Sequence, residues 1–462
     1  MQSKKKQRPN ILIIYPDQMR ADAMSCAGNP RIKTPNLDRL AFEGVHFTHA
    51  YTSFPLCCPF RASFMTGKYA HSTGMYANHY PIPLGQDFLA EIFRDAGYQT
   101  GYVGKWHLDG GIKHGFIPPG ERRLGFDYFV GYNRGHEYTN SIYYYDTDQP
   151  YRSRRYEPDY QTDHMIQFME QSINDDPERP FLGMICYGLP HPPLNAPRHY
   201  LDLYSPDEVP ISDNVPKDEE PQRRAREFLA KYYGLVACVD HNVGCLLDWL
   251  DRNSLAEDTM VILVSDHGDM AGEHGLYAKK TFYRNSMQVP MLVRYPRAFS
   301  GGLVVDSLVD PAIDTMPTLL DMCGIPIPGS VQGTSYLPLL QGDAEPTRDG
   351  IYYEILMERE GPEKFPISER GVRTREWMYV RQEDRPTHLF DLTKDPLELN
   401  NIVDSSEHND VLQRLDGMLL EHMERTDDDW SIEAVFPPPD FQTHQEGREY
   451  AKELLSKAII EP

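Results

Sequence analysis

The chain reads as an α/β protein: a large, mostly parallel sheet sandwiched by helices, then a smaller C-terminal antiparallel sheet with a flanking helix. Three observations predict this. Short apolar runs bounded by turn residues alternate with amphipathic helical stretches, the pattern of βαβ units. The runs are continuously apolar, as strands buried on both faces are. Past residues 341–346, a polar and turn-rich linker, the pattern changes to short strands joined by charged turns. With 462 residues, of which 40% are hydrophobic, the chain can build a sizeable core.

Taken in order, Ile11-Leu12-Ile13-Ile14-Tyr15 is a buried strand, and Thr34-Pro35 caps a helix carrying Leu37, Leu40 and Ala41 that stops at Gly44. A helix over 88–96 ends at Gly97 and leads into a strand at Gly101-Tyr102-Val103-Gly104. Residues 181–187 and 260–265 are two more buried strands. Between them, 226–250 places Phe228, Leu235, Val239, Val243, Leu246 and Leu250 at helical spacing, as a helix packed on a sheet does. Met291-Leu292-Val293 is a strand, and the helix 315–322 is closed by Gly324. Beyond the linker, strands are expected at 350–356, 371–372, 377–380 and 388–392, with a helix over 410–423 presenting Leu412, Leu415 and Leu419 on one face. This divides the chain into a main region (1–346), a second region (347–426) and a tail (427–462) to which no structure is assigned.

The balance of 46 Lys+Arg against 69 Asp+Glu gives a net charge of -23, which argues against nucleic acid as the ligand. An anionic substrate would need a locally basic pocket. No apolar run is long enough to span a bilayer. Met1-Gln2-Ser3-Lys4-Lys5-Lys6 has a basic flank without an apolar core, so no signal peptide is read: the protein is cytoplasmic as written, or periplasmic or secreted if a leader was removed. The seven cysteines match no zinc ribbon, and Cys186, Cys238, Cys245 and Cys323 read as reduced core residues.

The segment Cys57-Cys58-Pro59-Phe60-Arg61 is followed shortly by Thr66-Gly67-Lys68. Pro59 suits the first turn of a helix and Gly67 its C-terminal cap, so Cys57 sits at a helix N-terminus, which favours anions. Cys58 is given no role. Asp17 and Gln18 follow the first strand, and Asp266-His267 follow the strand 260–265. Two carboxylates with further oxygen or nitrogen donors suit a hard divalent cation. Each pair alone reads more readily as turn or cap residues than as metal ligands. Lys105-Trp106-His107, Pro190-His191-Pro192-Pro193 and Gly275-Leu276-Tyr277-Ala278-Lys279 add lysines and histidines, mostly just past predicted strands, where open α/β sheets place ligands.

Read as C-x-P-x-R followed by T-G-K, the cysteine segment resembles the signature of the type I sulfatases of the alkaline phosphatase superfamily. Gly104-Lys105-Trp106-His107-Leu108 and the Asp-Pro loop within 388–401 extend the resemblance over about residues 9–404. It implies an alkaline phosphatase-like fold and hydrolysis of a sulfate ester on a small molecule or saccharide. It also implies that a formylglycine-generating maturation enzyme oxidises Cys57 to Cα-formylglycine, whose hydrate is the nucleophile. Asp17, Gln18, Cys57, Asp266 and His267 would then surround a divalent cation, Ca²⁺ first, with Mg²⁺ or Mn²⁺ as alternatives. Gln18 stands where many relatives carry a second Asp, and Phe60 where most carry a small residue. Arg61 would hold the hydrated side chain, Lys105 and Lys279 the sulfate oxygens. His107 would take the proton that releases sulfate, and His191 would donate to the leaving oxygen. Arg134 and His136, in an aromatic-rich loop, suit a sugar subsite as well as they suit ordinary packing. Arg152-Ser153-Arg154-Arg155 reads as a solvated basic cluster. A phosphonate or phosphate ester hydrolase with the same nucleophile is the alternative.

Overall fold

The computed structural model describes residues 8–342, 348–358, 366–430 and 444–461. Most of the expected linker, residues 1–6 and the triple proline at 437–439 lie outside them. The strands are β1 (Asn10–Asp17), β2 (Val45–Phe47), β3 (Gln99–Lys105), β4 (Tyr128–Tyr132), β5 (Ile142–Tyr143), β6 (Tyr151–Ser153), β7 (Phe181–Pro190) and β8 (Thr259–Val264). After them come β9 (Met291–Arg294), β10 (Leu303–Val305), β11 (Ile351–Glu358), β12 (Pro366–Arg373), β13 (Trp377–Arg381), β14 (Pro386–Asp391) and β15 (Ile459–Glu461).

The main sheet has eight strands in the order β10-β2-β9-β8-β1-β7-β3-β4, and β9 alone runs against the rest. Its central strands are buried on both faces, and their side chains divide by alternation between two cores. Ile11, Ile13 and Tyr15 of β1, with Met260, Ile262 and Val264 of β8, join the helices Cys57–Thr66, Leu89–Asp95 and Pro311–Met322. Leu12 and Ile14, with Val261 and Leu263, join Pro35–Phe42, Glu157–Asp175 and Glu219–Arg252. The expected sandwich is therefore two-sided.

Strands β11 to β14 form the antiparallel four-stranded sheet, flanked by Asn409–Arg425 with Leu415 and Leu419 buried. This sheet shares a core with the segment leading into the cysteine helix: Tyr51, Phe54 and Leu56 pack with Ile351, Tyr353 and Ile355. Glu354 reinforces the join by accepting from Ala70 N at 2.7 Å and pairing with His71 Nδ1 at 2.8 Å.

Several expectations change. Thr34 does not cap its own helix, because its Oγ1 accepts from Ser25 N at 2.9 Å. The long helix starts at Glu219, where Arg223 pairs with Glu220 and Glu227, so charge rather than apolar periodicity carries its first turns. Cys245 is half-buried, not core. The tail contains a helix, His444–Lys457, and β15.

Candidate active site

Strands β8, β1, β7 and β3 lie side by side and parallel, so their carboxyl ends share one edge. Strand β1 ends at Asp17, Asp266 and His267 follow β8, His191 follows β7, and β3 ends at Lys105. The helix Cys57–Thr66 points its N-terminus into this edge and closes at Gly67, whose φ of +66° suits a residue without a side chain. Gln18 and His107 both hold positive φ, 65° and 57°, where a side chain is disfavoured; the chain turns sharply as it leaves β1 and β3.

Asp17, Cys57, Asp266 and His267 are all buried, and each offers a ligand atom within 4.8 Å of the others. Cys57 Sγ lies 3.3 Å from His267 Nε2 and 3.8 Å from Asp17 Oδ1. His267 Nδ1 donates to the Gly268 carbonyl at 3.0 Å, which leaves Nε2 with its lone pair turned to the cluster. Asp266 Oδ2 is buried with no hydrogen-bond partner among the described residues. An orphaned carboxylate oxygen, a correctly tautomeric imidazole and a second carboxylate fit a divalent cation. Gln18 stands beside the group with its amide engaged: Oε1 accepts from Lys279 Nζ at 2.5 Å, and Nε2 donates to Asp269.

Cations balance the buried acids. Lys105 Nζ donates to Asp17 Oδ2 at 2.5 Å, and Arg61 Nη2 approaches the same oxygen at 3.3 Å. Arg61 also donates to the Lys105 carbonyl at 2.7 Å and lies over the Tyr15 ring. Burial opposes the Asp17 charge, yet Lys105 and the neighbouring histidines hold its carboxyl well below the usual range. Burial likewise opposes the Lys105 charge, and Asp17 raises its ammonium above the ordinary value. Burial, with Asp17 close by, pushes the Cys57 thiol up to about 11, so the unmodified side chain stays a thiol at neutral pH.

These groups open onto a cleft of about 510 Å³ lined by Cys57, Lys105, His107, His136, His191 and Lys279, among others. His136 and His191 stack face to face, centroids 3.7 Å apart, and Lys105 Nζ lies 3.2 Å from His136 Nε2. Desolvation pushes His107, His136 and His191 well below the usual imidazole range, reinforced by Lys105 in each case. Arg134 lines the cleft with its Nε donating to the Gly111 carbonyl at 2.6 Å. Arg152 and Arg155 lie apart, bonded to Asn140 and Asp163.

Several participants carry no signal in the motifs. His79, at φ +77°, places Nδ1 3.2 Å from His107 Nε2, and the Asn78 side chain accepts from Cys58 N at 3.0 Å. Asp269 anchors Gln18, and its place in Asp266-His267-Gly268-Asp269 is the one clue the sequence offers to it. Cys58 does have a role: its Sγ holds the His107 carbonyl at 3.0 Å.

An acidic cation-ready cluster, a helix-terminal cysteine and two lysines at one edge of an α/β sheet define a hydrolase for an anionic ester. The chain belongs to the sulfatase family: the family model described as Sulfatase matches residues 9–325, and N-sulphoglucosamine sulphohydrolase, C-terminal, matches 272–425. It is a sulfuric ester hydrolase of the alkaline phosphatase-like fold. Sulfatases use a metal ion and a formylglycine, and the buried cluster supplies candidate metal-binding residues. The chain is 36% identical over 431 residues to the ulvan-active sulfatase of Formosa agariphila, covering 92% of this chain and 82% of that one. BT4656, solved with its substrate D-glucosamine-2-N,6-O-disulfate, superposes with a TM-score of 0.83 at 25% identity, covering 93% of this chain and 100% of that one. The phosphonate monoester hydrolase of Agrobacterium radiobacter, at 23% identity and TM-score 0.74 over 94% and 100% of the two chains, shares the fold. No helix among the described residues is long and apolar enough to cross a membrane.

Proposed function

We propose that this sulfatase cleaves sulfate esters on a carbohydrate, with residue 57, matured to formylglycine, as the nucleophile. One observation carries the reading: Cys57 opens onto the same cleft as Lys105, Lys279, His107 and His191, directly beside the Asp17, Asp266 and His267 cluster. The saccharide assignment is supported by the relatives acting on ulvan and on a sulfated glucosamine.

Asp17, Asp266, His267 and the side chain at 57 would hold the cation, with the Gln18 amide oxygen as a further donor; carboxylate and amide oxygens suit Ca²⁺, and Mg²⁺ or Mn²⁺ as alternatives. When bound, the cation lowers the pKa of the nucleophilic hydroxyl. Lys105 and Lys279 take the non-bridging sulfate oxygens, and Arg61 holds Asp17 and the 57 side chain in register. His191 donates a proton to the leaving alcohol, and His107, steadied by His79, accepts the proton that precedes sulfate release. Arg134 and His136 contact the sugar. The main region is the catalytic domain, the second a subdomain buttressing the cysteine helix, and a formylglycine-generating enzyme is the maturation partner.

Cys57→Ala should abolish turnover of 4-nitrophenyl sulfate with the melting temperature retained. Peptide mass analysis of active wild type should find sulfur replaced by oxygen with the further loss of two hydrogens at position 57, the mass of the aldehyde. Full activity in the variant, or an intact thiol in active protein, would overturn the nucleophile. A higher kcat/KM on a phenyl phosphonate than on the aryl sulfate would favour the phosphonate hydrolase instead.

A further inference from the structure

The tail returns to the active site. Strand β15 pairs in parallel with β6, Ile459 opposite Tyr151 and Glu461 opposite Ser153. Glu461 accepts from Tyr145 at 3.1 Å and from Tyr160. Leu454 completes a small core with Ile142 and Tyr144, on which Tyr450 and Leu455 pack. These contacts fix the C-terminal half of the helix His444–Lys457 and lay its first turns at the cleft, where Gly447 and Arg448 line the same cavity as Cys57 and Lys279.

In a chain of net charge -23, the cleft is lined by Lys105, Lys113, Arg134, Lys279 and Arg448 against a single acid, Glu137. That acid is already engaged by Lys113 at 2.6 Å and by His114. Lys105 and Lys279 lie with Asp17 and Gln18 at the nucleophile end. Arg448, by contrast, is exposed and makes no hydrogen bond or ion pair among the described residues. The cleft therefore carries a guanidinium beyond what one sulfate group calls for, in a form suited to bidentate recognition of an oxyanion. The geometry points to Arg448 as a specificity-determining residue that receives a second anionic group, a carboxylate or a further sulfate, on the saccharide whose ester is cut. This rests on the carbohydrate reading above and narrows it to multiply charged sugars.

Full-length, formylglycine-bearing wild type, Arg448→Ala and Arg448→Lys are assayed on 4-nitrophenyl sulfate with three competitors. Glucose 6-sulfate carries one anion, D-glucosamine-2-N,6-O-disulfate a second sulfate, and glucuronic acid 2-sulfate a carboxylate. Wild type should bind at least one of the doubly charged sugars about tenfold more tightly than glucose 6-sulfate, the scale of one charge-assisted hydrogen-bonded contact. Arg448→Ala should erase that preference and Arg448→Lys keep part of it; the sugar affected tells carboxylate from sulfate. The exposed position leaves circular dichroism unchanged. A wild type without the preference, or a preference surviving Arg448→Ala, overturns the inference while leaving the sulfatase chemistry intact. A matured wild type that fails to turn over the aryl sulfate would instead overturn the formylglycine reading, and this one with it.

Discussion

His191 donates its Nδ1 hydrogen to the Pro192 carbonyl at 2.5 Å, so Nε2 is the nitrogen able to carry a further proton. Desolvation, with Lys279 nearby, keeps the ring neutral in the free cleft. A bound sulfate ester adds negative charge beside it and raises its proton affinity, which makes it a donor when substrate is present. Proton donation matters most for a poor leaving group. His191→Ala should therefore lower kcat/KM for an alkyl or sugar sulfate by about 10²–10⁴-fold while affecting 4-nitrophenyl sulfate far less. Equal losses on both substrates would remove His191 from the acid role. Asp17, Asp266, His267, Lys105, His107 and His191 stand out in the sequence because they lie at or just past strand ends, and Cys57 and Lys279 because they sit in short motifs of the family pattern. His79 and Arg448 do not, because each reaches the site through a loop or a tail whose path depends on tertiary packing, and Asp269 is marked only by its place next to Asp266-His267.

Among the elements, the central strands are readable because burial on both faces makes them continuously apolar. Strands β2, β5, β6 and β10 span two or three residues, too few for a period to register. Only Gly371 and Val372 of β12 stand out, since Ser368, Glu369, Arg370 and Arg373 around them are polar; Arg370 and Arg373 are nonetheless buried, by pairing with Asp428 and Glu398. Strand β3 shows how tightly the site depends on sheet packing. Gly104, one residue before Lys105, has φ +112°, and a Cβ there would stand 2.2 Å from the Cys186 carbonyl oxygen of β7. Gly104→Ala would force β3 from β7 or twist the Lys105 backbone, costing at least about 2 kcal/mol. Denaturant unfolding should report that loss, and kcat/KM should fall with it because Lys105 moves. A variant of wild-type stability would mean the two strands can separate freely.

Across the whole molecule, the excess of acids is managed partly by burying carboxyl groups in protonated or paired form. Glu157 is buried at the start of its helix, where it accepts from Tyr132 at 2.8 Å and from Gln161 at 3.2 Å. Burial raises its carboxyl from the usual 4.5 to about 7. The folded state thus binds this proton more tightly than the unfolded chain does, so its stabilising effect is full below about pH 4.5 and lost as pH rises through 7. The depressed histidines act with the opposite sign, losing stability as pH falls, so the total pH profile mixes both contributions. Comparison with Glu157→Gln isolates one of them. The stability of wild type relative to that variant should fall by about 3 kcal/mol between pH 4.5 and 7, since each tenfold difference in proton affinity between the folded and unfolded chain is worth roughly 1.4 kcal/mol. Urea unfolding of both proteins across that range measures it, and a difference that stays flat with pH would show that Glu157 ionises as readily in the fold as in the open chain.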